Sequence, residues 1–496
     1  MSVRPVSYRL TGPPTPLTRR RLLGRAAAAG LLATPAAALL NACATGSGDG
    51  DDNGNEQERT AENPFGFVPD SRVDAVFFTG GFGTEYPNAL QEEFQRHWPE
   101  AQVGVVTTET IATEMQPRFA GGNPPDFLNN SGDDELALDG LVNDGAVIPL
   151  TELLDAPSLD DPSKKIRDTL TAGVEEAGSF GGTMYSLNFV NSTYGIWYDA
   201  KLFRDNGWTP PTTWSEFLDL AGRMKAAGIA PFINGNANGL WYLQNVLMEW
   251  INLEGGHEAV IAIDNLEPDA WRQPAVVTAV NRLQEMVDSE LVYPGMEGLT
   301  HIQAQQAWLD REAGMLWCGT WLEAEMSDDT VLAEHEVSGG IPADFEMTLM
   351  APWAPSDNPA LPPGCVRNQP GEPFVIPTNA ANRAGGLELL RVMLTKSFAE
   401  RFIELTGSAT VVQGTGLEVD SVAFRSAAEV AATAPDALNW KWEGWYNAKM
   451  YVDTMEPMLG ELMAGRASAQ DLIDAMQAAA DEVREDSSIE KFTREA

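Results

Sequence analysis

The sequence predicts an α/β fold. From residue 73 onward, short apolar runs alternate with stretches of helical periodicity, and neither an internal repeat nor a heptad run interrupts them. Over 496 residues the composition is globular, 44% hydrophobic and 21% charged, which excludes a disordered or collagenous chain. That length suits two to four domains or one large two-lobed unit.

The elements follow in order. Residues 73–78 read as a strand, ended by Gly80-Gly81-Phe82-Gly83, then a helix to about residue 98. A strand over 102–107, a helix over 111–120 and a strand over 126–129 come next, the last set off by Pro124-Pro125. Helices over 135–144 and 164–177 precede a hairpin at Gly181-Gly182, whose return runs to residue 189. The next stretch opens with a strand over 194–198 and a helix from Ala200. Thr213 caps a helix over 214–227, because its hydroxyl can accept from the free N–H groups of the first turn. Strands over 230–233, 314–318, 347–351 and 374–376 alternate with helices over 241–251, 274–288 and 302–311. The last part is helical, over 385–394, 398–405, 444–463 and 470–484.

The net charge is −40, from 72 acidic against 32 basic residues. Nucleic-acid phosphates and anionic lipid heads repel such a surface, so neither is an expected partner. Residues 1–42 hold six arginines and no acid. Arg19-Arg20-Arg21 followed by an apolar run to Leu40 resembles a twin-arginine export signal, too short and Ala-rich for a membrane span. Leu40-Asn41-Ala42-Cys43 resembles a bacterial lipobox, which makes Cys43 the lipidated residue and 43–63, rich in Gly and Asp, a flexible tether. The expected place is the outer face of the cell membrane, held by lipid. Cys318 and Cys365 then face an oxidising compartment, either as a disulfide or as two thiols.

The sequence has no Gly-x-Ser-x-Gly, His-Glu-x-x-His, Cys-x-x-Cys or Gly-Lys motif. No catalytic residue, metal or cofactor is assigned. What stands out is 14 tryptophans, many beside Gly, Asn or Pro. Residues 439–447 pack Trp440, Trp442, Trp445 and Tyr446 among amide and charged neighbours. A sugar ring offers a C–H face to an indole and a hydroxyl rim to amides and carboxylates, so such segments point to carbohydrate binding. Asn129-Asn130-Ser131 follows a strand and precedes a helix, where α/β sheets bind ligands.

Taken together with Ala120-Gly121-Gly122-Asn123-Pro124-Pro125-Asp126, Trp214-Ser215-Glu216-Phe217 and residues 314–321, these features resemble the extracellular solute-binding proteins of ABC sugar importers, the maltose-binding-like family, over most of 64–484. A closer resemblance is to actinobacterial lipoproteins for N-acetylglucosamine and N,N′-diacetylchitobiose. It rests on Asn63-Pro64-Phe65-Gly66, Ile111-Ala112-Thr113-Glu114, LLDAPSLDDP at 153–162, Gly298-Leu299-Thr300-His301 and Cys318-Gly319-Thr320-Trp321-Leu322-Glu323.

The resemblance implies a two-lobed type II periplasmic-binding-protein fold with a hinge of two or three crossing strands. Residues 64–188 and 318–376 form the first lobe on this reading, 189–317 and 377–484 the second, and 485–496 a tail. The crossings fall at 185–189, 314–318 and 374–376. It further implies a monomeric, non-enzymatic receptor that hands a small carbohydrate to ABC permease subunits. The alternatives are another sugar in the same fold, or a secreted hydrolase of chitin fragments. Implied ligand-binding positions are Phe82, Glu85, Asn129, Asn130, Ser131, Asn188, Asn191, Trp241, Trp321, Glu323, Trp442 and Trp445.

Overall fold

The computed structural model describes residues 57–132, 134–416, 421–433 and 438–494. The expected signal over 1–42, Cys43 and the tether up to residue 56 lie outside them. The strands are β1 (Arg72–Phe78), β2 (Gln102–Thr108), β3 (Phe127–Asn129), β4 (Ser179–Phe180), β5 (Thr183–Met184), β6 (Leu187–Asp199), β7 (Ala230–Ile233), β8 (Ala313–Gly319), β9 (Met347–Met350) and β10 (Asn368–Val375). They join as β2-β1-β3-β10-β6-β8-β7, with β9 also on β6 and β4-β5 a separate hairpin. The β1 strand is parallel to β2 and β3, and β7 is parallel to β8, while β10 and β6 run antiparallel.

Helices cover this sheet by their apolar stripes. The helix Glu85–His97 buries Tyr86, Leu90 and Phe94, four residues apart. Thr213 caps the helix Trp214–Ala226 as expected, its hydroxyl accepting from Glu216 N–H at 3.4 Å. Elsewhere the pattern differs from expectation for local reasons. Gly173, at φ 84°, splits the expected 164–177 helix into a 3₁₀ turn Ile166–Thr169 and a short helix Val174–Ala177. The expected 444–463 helix becomes Trp442–Trp445, a π-helical segment Asn447–Met455 and Glu456–Met463. Pro457, in the first turn of the last piece, has no N–H to continue an unbroken ladder. The expected 241–251 helix runs from Leu240 to Asp264 and bends at Gly256, φ 74°. The helix Val422–Thr433 was not expected from the sequence.

Two large cores result. The first gathers buried residues between Phe65 and Val190 and between Phe374 and Val412. The second gathers those between Tyr194 and Cys365 and between Ala423 and Val483. Segments 318–365 and 377–412 therefore lie in the opposite lobes to those expected. The physical reason is the course of β8, which stays in the second core throughout and is not a crossing. The chain passes between cores along β6, where Leu187–Thr193 pair with β10 and Tyr194–Tyr198 with β8. It returns along β10 and passes over once more between Val412 and Ala423.

Both ends of the described chain are held down. Arg391 Nη1 donates to Glu62 O at 3.1 Å, so residues 57–63 lie against the first lobe instead of forming free tether. The expected tail packs on the second lobe, with Arg494 Nη1 donating to Asp264 Oδ2 at 3.0 Å and Phe492 against Trp445. Cys318 is a buried free thiol, and Cys365 is buried.

Candidate functional site

In open α/β sheets, ligands sit beyond the carboxyl ends of parallel strands. The chain leaves β1 through Gly80–Phe82, β2 through Glu109 and β3 through Asn130-Ser131; in the second lobe it leaves β7 through Asn234–Asn238 and β8 through Thr320-Trp321. These ends meet. Gly81 N–H donates to Glu325 Oε1 at 3.2 Å and Thr84 N–H to Asp328 Oδ2 at 2.9 Å. Glu109 Oε1 lies 3.2 Å from His335 Nε2, and that hydrogen bond holds the Glu109 carboxyl below the usual carboxylate range.

Among the described residues, Trp321 is the one tryptophan that packs against both cores. Gly319 makes its pose possible, because the indole folds back over that backbone and a Cβ there would fall inside the ring. Around it stand Tyr194 at 5.5 Å, Trp241 at 6.2 Å and Tyr242 at 6.3 Å from the second lobe, and Phe82 at 6.4 Å from the first. Trp241 and Trp321 are tilted only 38° apart, and both are half-buried. They form an aromatic wall with exposed ring surface between the lobes.

Behind the wall is a layer of polar supports. Glu443 accepts from Trp241 Nε1 at 2.5 Å and from Trp440 Nε1 at 2.6 Å. The Arg367 guanidinium lies between Tyr194, 3.8 Å from its ring centre, and Trp440, at 4.1 Å. Its Nε and Nη2 have no hydrogen-bond partner, and burial draws its pKa down. Tyr194 stacks on Trp317 at 5.7 Å, and Trp317 Nε1 donates to Glu249 Oε2 at 2.8 Å. Burial raises the Glu249 carboxyl to about 7. Three polar atoms of this lobe's strand-end region are buried without partners: Asn236 Nδ2, Gln305 Oε1 and Thr320 Oγ1. Such groups are costly unless something satisfies them.

The structure brings together only part of the expected set. Trp241, Trp321 and Phe82 share the wall. Ser131 lies at the first lobe's strand ends, donating to Glu372 Oε2 at 3.1 Å. Burial raises that carboxyl to about 7, and its Oε1 has no partner. Asn129 and Asn130 are consumed by the fold. Asn129 accepts from Phe78 N–H and Tyr86 O–H, and Asn130 brackets Leu136 through both its N–H and C=O. Trp442 is fully buried against Trp271, and Trp445 packs on Phe492 and Tyr446; they belong to the core and its edge, because the polar neighbours that made them look like ligand contacts alternate around a helix turn. Glu323 is engaged by Ser421 at 2.7 and 2.6 Å, and Glu85 is exposed in a first helical turn. Asn188 is buried on β6. Asn191 lines a separate polar cavity of about 400 Å³ with Thr171, Glu176, Gln369, Lys441 and Arg494.

Tyr194, Arg367 and Glu443 were not singled out from the sequence. Glu443 alone left a signal, a carboxylate inside a run of aromatics. Among the described residues, no group of three or more His, Cys, Asp or Glu is placed to hold a metal ion, and no helix is long and apolar enough to cross a membrane.

Residues 83–400 match the family of bacterial extracellular solute-binding proteins. The diacetylchitobiose binding protein NgcE of Streptomyces coelicolor is 34% identical, over 96% of this chain and 98% of the relative. A solved chitin oligosaccharide binding protein superposes with TM-score 0.63 at 17% identity, covering 80% of this chain and 93% of the other. RafE in complex with raffinose gives TM-score 0.63 at 18% identity, over 83% and 99%.

Proposed function

The chain belongs to the bacterial extracellular solute-binding protein family, and we propose that within it the protein is the carbohydrate receptor of an ABC importer, taking N-acetylglucosamine and N,N′-diacetylchitobiose. The observation that carries this reading is the aromatic wall of Trp241 and Trp321 between the lobes, with Trp321 touching both cores. An indole face matches the C–H face of a pyranose.

Binding is the whole of the activity on this reading, with no bond made or broken. Open lobes admit the sugar, and closure through contacts such as Gly81–Glu325 and Glu109–His335 is favoured because the ligand bridges both lobes only then. Permease subunits recognise the closed form. A lipid on Cys43 keeps the receptor, a monomer, beside them.

A thermal-shift panel tests the reading, since a ligand that binds only the folded state stabilises it by RT ln(1 + [L]/Kd). N,N′-Diacetylchitobiose and N-acetylglucosamine raise the melting temperature; maltodextrins and xylo-oligosaccharides leave it unchanged. A shift with one of the latter alone keeps the receptor and overturns the amino-sugar assignment. No shift with any sugar overturns the reading itself.

A further inference from the structure

Glu443 occupies a position that sugar contact does not explain. It lies at the start of the short helix Trp442–Trp445, half-buried, and both carboxylate oxygens are taken by protein donors. Oε1 accepts from Trp241 Nε1 at 2.5 Å; Oε2 accepts from Trp440 Nε1 at 2.6 Å and Gln244 Nε2 at 3.2 Å. The two indoles come from segments about 200 positions apart in the chain, the helix beginning at Leu240 and the segment before residue 442. Nothing else among the described hydrogen bonds ties them to each other.

The tie also reaches the wall by a second route. Trp440 forms one side of the slot that holds the Arg367 guanidinium, and Tyr194 forms the other. Tyr194 in turn stands 6.3 Å from Trp241 and 5.5 Å from Trp321. With its Nε and Nη2 unpartnered, Arg367 is held there by the two ring faces, by a hydrogen bond with Tyr194 and by the charges of Glu249 and Glu443. Moving Trp440 therefore opens one side of the Arg367 slot, on whose other side Tyr194 stands against Trp241 and Trp321.

Resting on the carbohydrate-receptor reading, we propose that Glu443 is the positioning residue of the sugar site. One carboxylate clamps Trp241 directly, and through Trp440 and Arg367 it sets Tyr194, so that the wall is arranged before the sugar arrives. A site that is already arranged does not spend binding free energy on ordering its side chains.

Charge and geometry together make the clamp testable. A carboxylate accepts at both oxygens, whereas an amide accepts at one and donates at the other. Glu443→Gln therefore sets an N–H against an indole N–H, and Trp241 or Trp440 must turn away. Removing the Trp440 N–H while keeping a ring, as in W440F, removes that conflict. The introduced amide oxygen then serves Trp241, and only the longer 3.2 Å bond from Gln244 Nε2 is given up.

The experiment is calorimetric titration of N,N′-diacetylchitobiose into the wild type, E443Q, W440F and W440F/E443Q, with melting temperatures measured alongside. The wild type must bind; if it does not, the receptor reading fails and not the clamp. Given binding, E443Q weakens affinity about 10-fold or more, the size of a displaced aromatic contact. W440F loses the Trp440 tie but keeps a ring against Arg367, so it weakens affinity less than E443Q does, and W440F/E443Q returns to within about 3-fold of W440F. E443Q with wild-type affinity overturns the proposal. So does a double variant as weak as E443Q, or one that does not fold. Should E443Q alone fail to fold, a folded double variant that binds supports the clamp.

Discussion

The two lobes fill their cores differently. Among the described residues, the first core buries ten phenylalanines and no tryptophan; the second buries ten tryptophans and four phenylalanines. Phenylalanine has nothing to satisfy, so the first core is held by ring contacts such as Phe67–Phe94 at 5.5 Å and Phe127–Phe374 at 5.3 Å. Every buried indole brings an N–H that needs an acceptor. In the second lobe those acceptors are Glu249, Glu443 and the Cys318 carbonyl, while Trp214, Trp271, Trp353 and Trp442 have none. The lesson is that the tryptophan-rich lobe accepts polar groups in its interior, and one of them, Glu443, connects its core to Trp241.

That contrast predicts where stability and binding separate. Trp442→Ala removes a fully buried ring and lowers folding stability by about 3–5 kcal/mol, and Phe94→Ala does the same in the first lobe. Chemical denaturation measures both, and sugar affinity of the folded fraction stays unchanged in each. A Trp442 variant that folds but has lost the sugar returns that residue to the site.

Trp321→Ala acts the other way. Its half-exposed ring contributes less to stability, but its loss weakens sugar binding by about 2 kcal/mol or more, roughly 30-fold. Gly319→Ala gives a comparable loss without touching the sugar, because the added methyl displaces the same indole. Calorimetry on the two variants checks this; a full-affinity Gly319→Ala would show that the folded-back pose does not matter.

A pH effect sharpens the comparison further. Glu249 is raised to about 7 by burial, against about 4.5 for a free glutamate. A carboxyl whose folded pKa is raised stabilises fully below its unfolded value, and that stability is lost as pH rises through the folded one. Glu249 alone thus accounts for a loss of at most about 3 kcal/mol between about pH 4.5 and 7, and Glu249→Gln removes that part of the slope, leaving the part from Glu372 and Glu388. Denaturation at about pH 5, 6 and 7 reads it out; an unchanged slope in the variant assigns the loss elsewhere. The smallest effect belongs to Glu85→Ala, a few tenths of a kcal/mol at an exposed helix start and no change in sugar affinity.

Much of the fold was legible because period and capping are local. The 73–78, 102–107 and 230–233 strands and the Thr213-capped helix match β1, β2, β7 and Trp214–Ala226 closely. The lobe assignment of 318–365 and 377–412 was not legible, since no local pattern says whether an apolar run such as β8 stays in one core or crosses to another. The position of Trp321 between the two cores was marked in the sequence by Gly319 two positions earlier. Trp442 was misread because a helix turns successive residues to different sides, so polar neighbours in sequence say little about where one indole points. Arg367 and Tyr194 left no sequence signal, as their partnership is made across the sheet.

The account's central claim is that a sugar sits on the wall between the lobes. Calorimetric titration of the wild type with N,N′-diacetylchitobiose, while following tryptophan emission, tests it most directly. The account predicts one-to-one saturable binding with a Kd in the micromolar range or tighter, about −8 kcal/mol, and an emission change that Trp321→Ala reduces. Saturable binding with an emission change untouched by Trp321→Ala would contradict it, as would no heat at millimolar sugar.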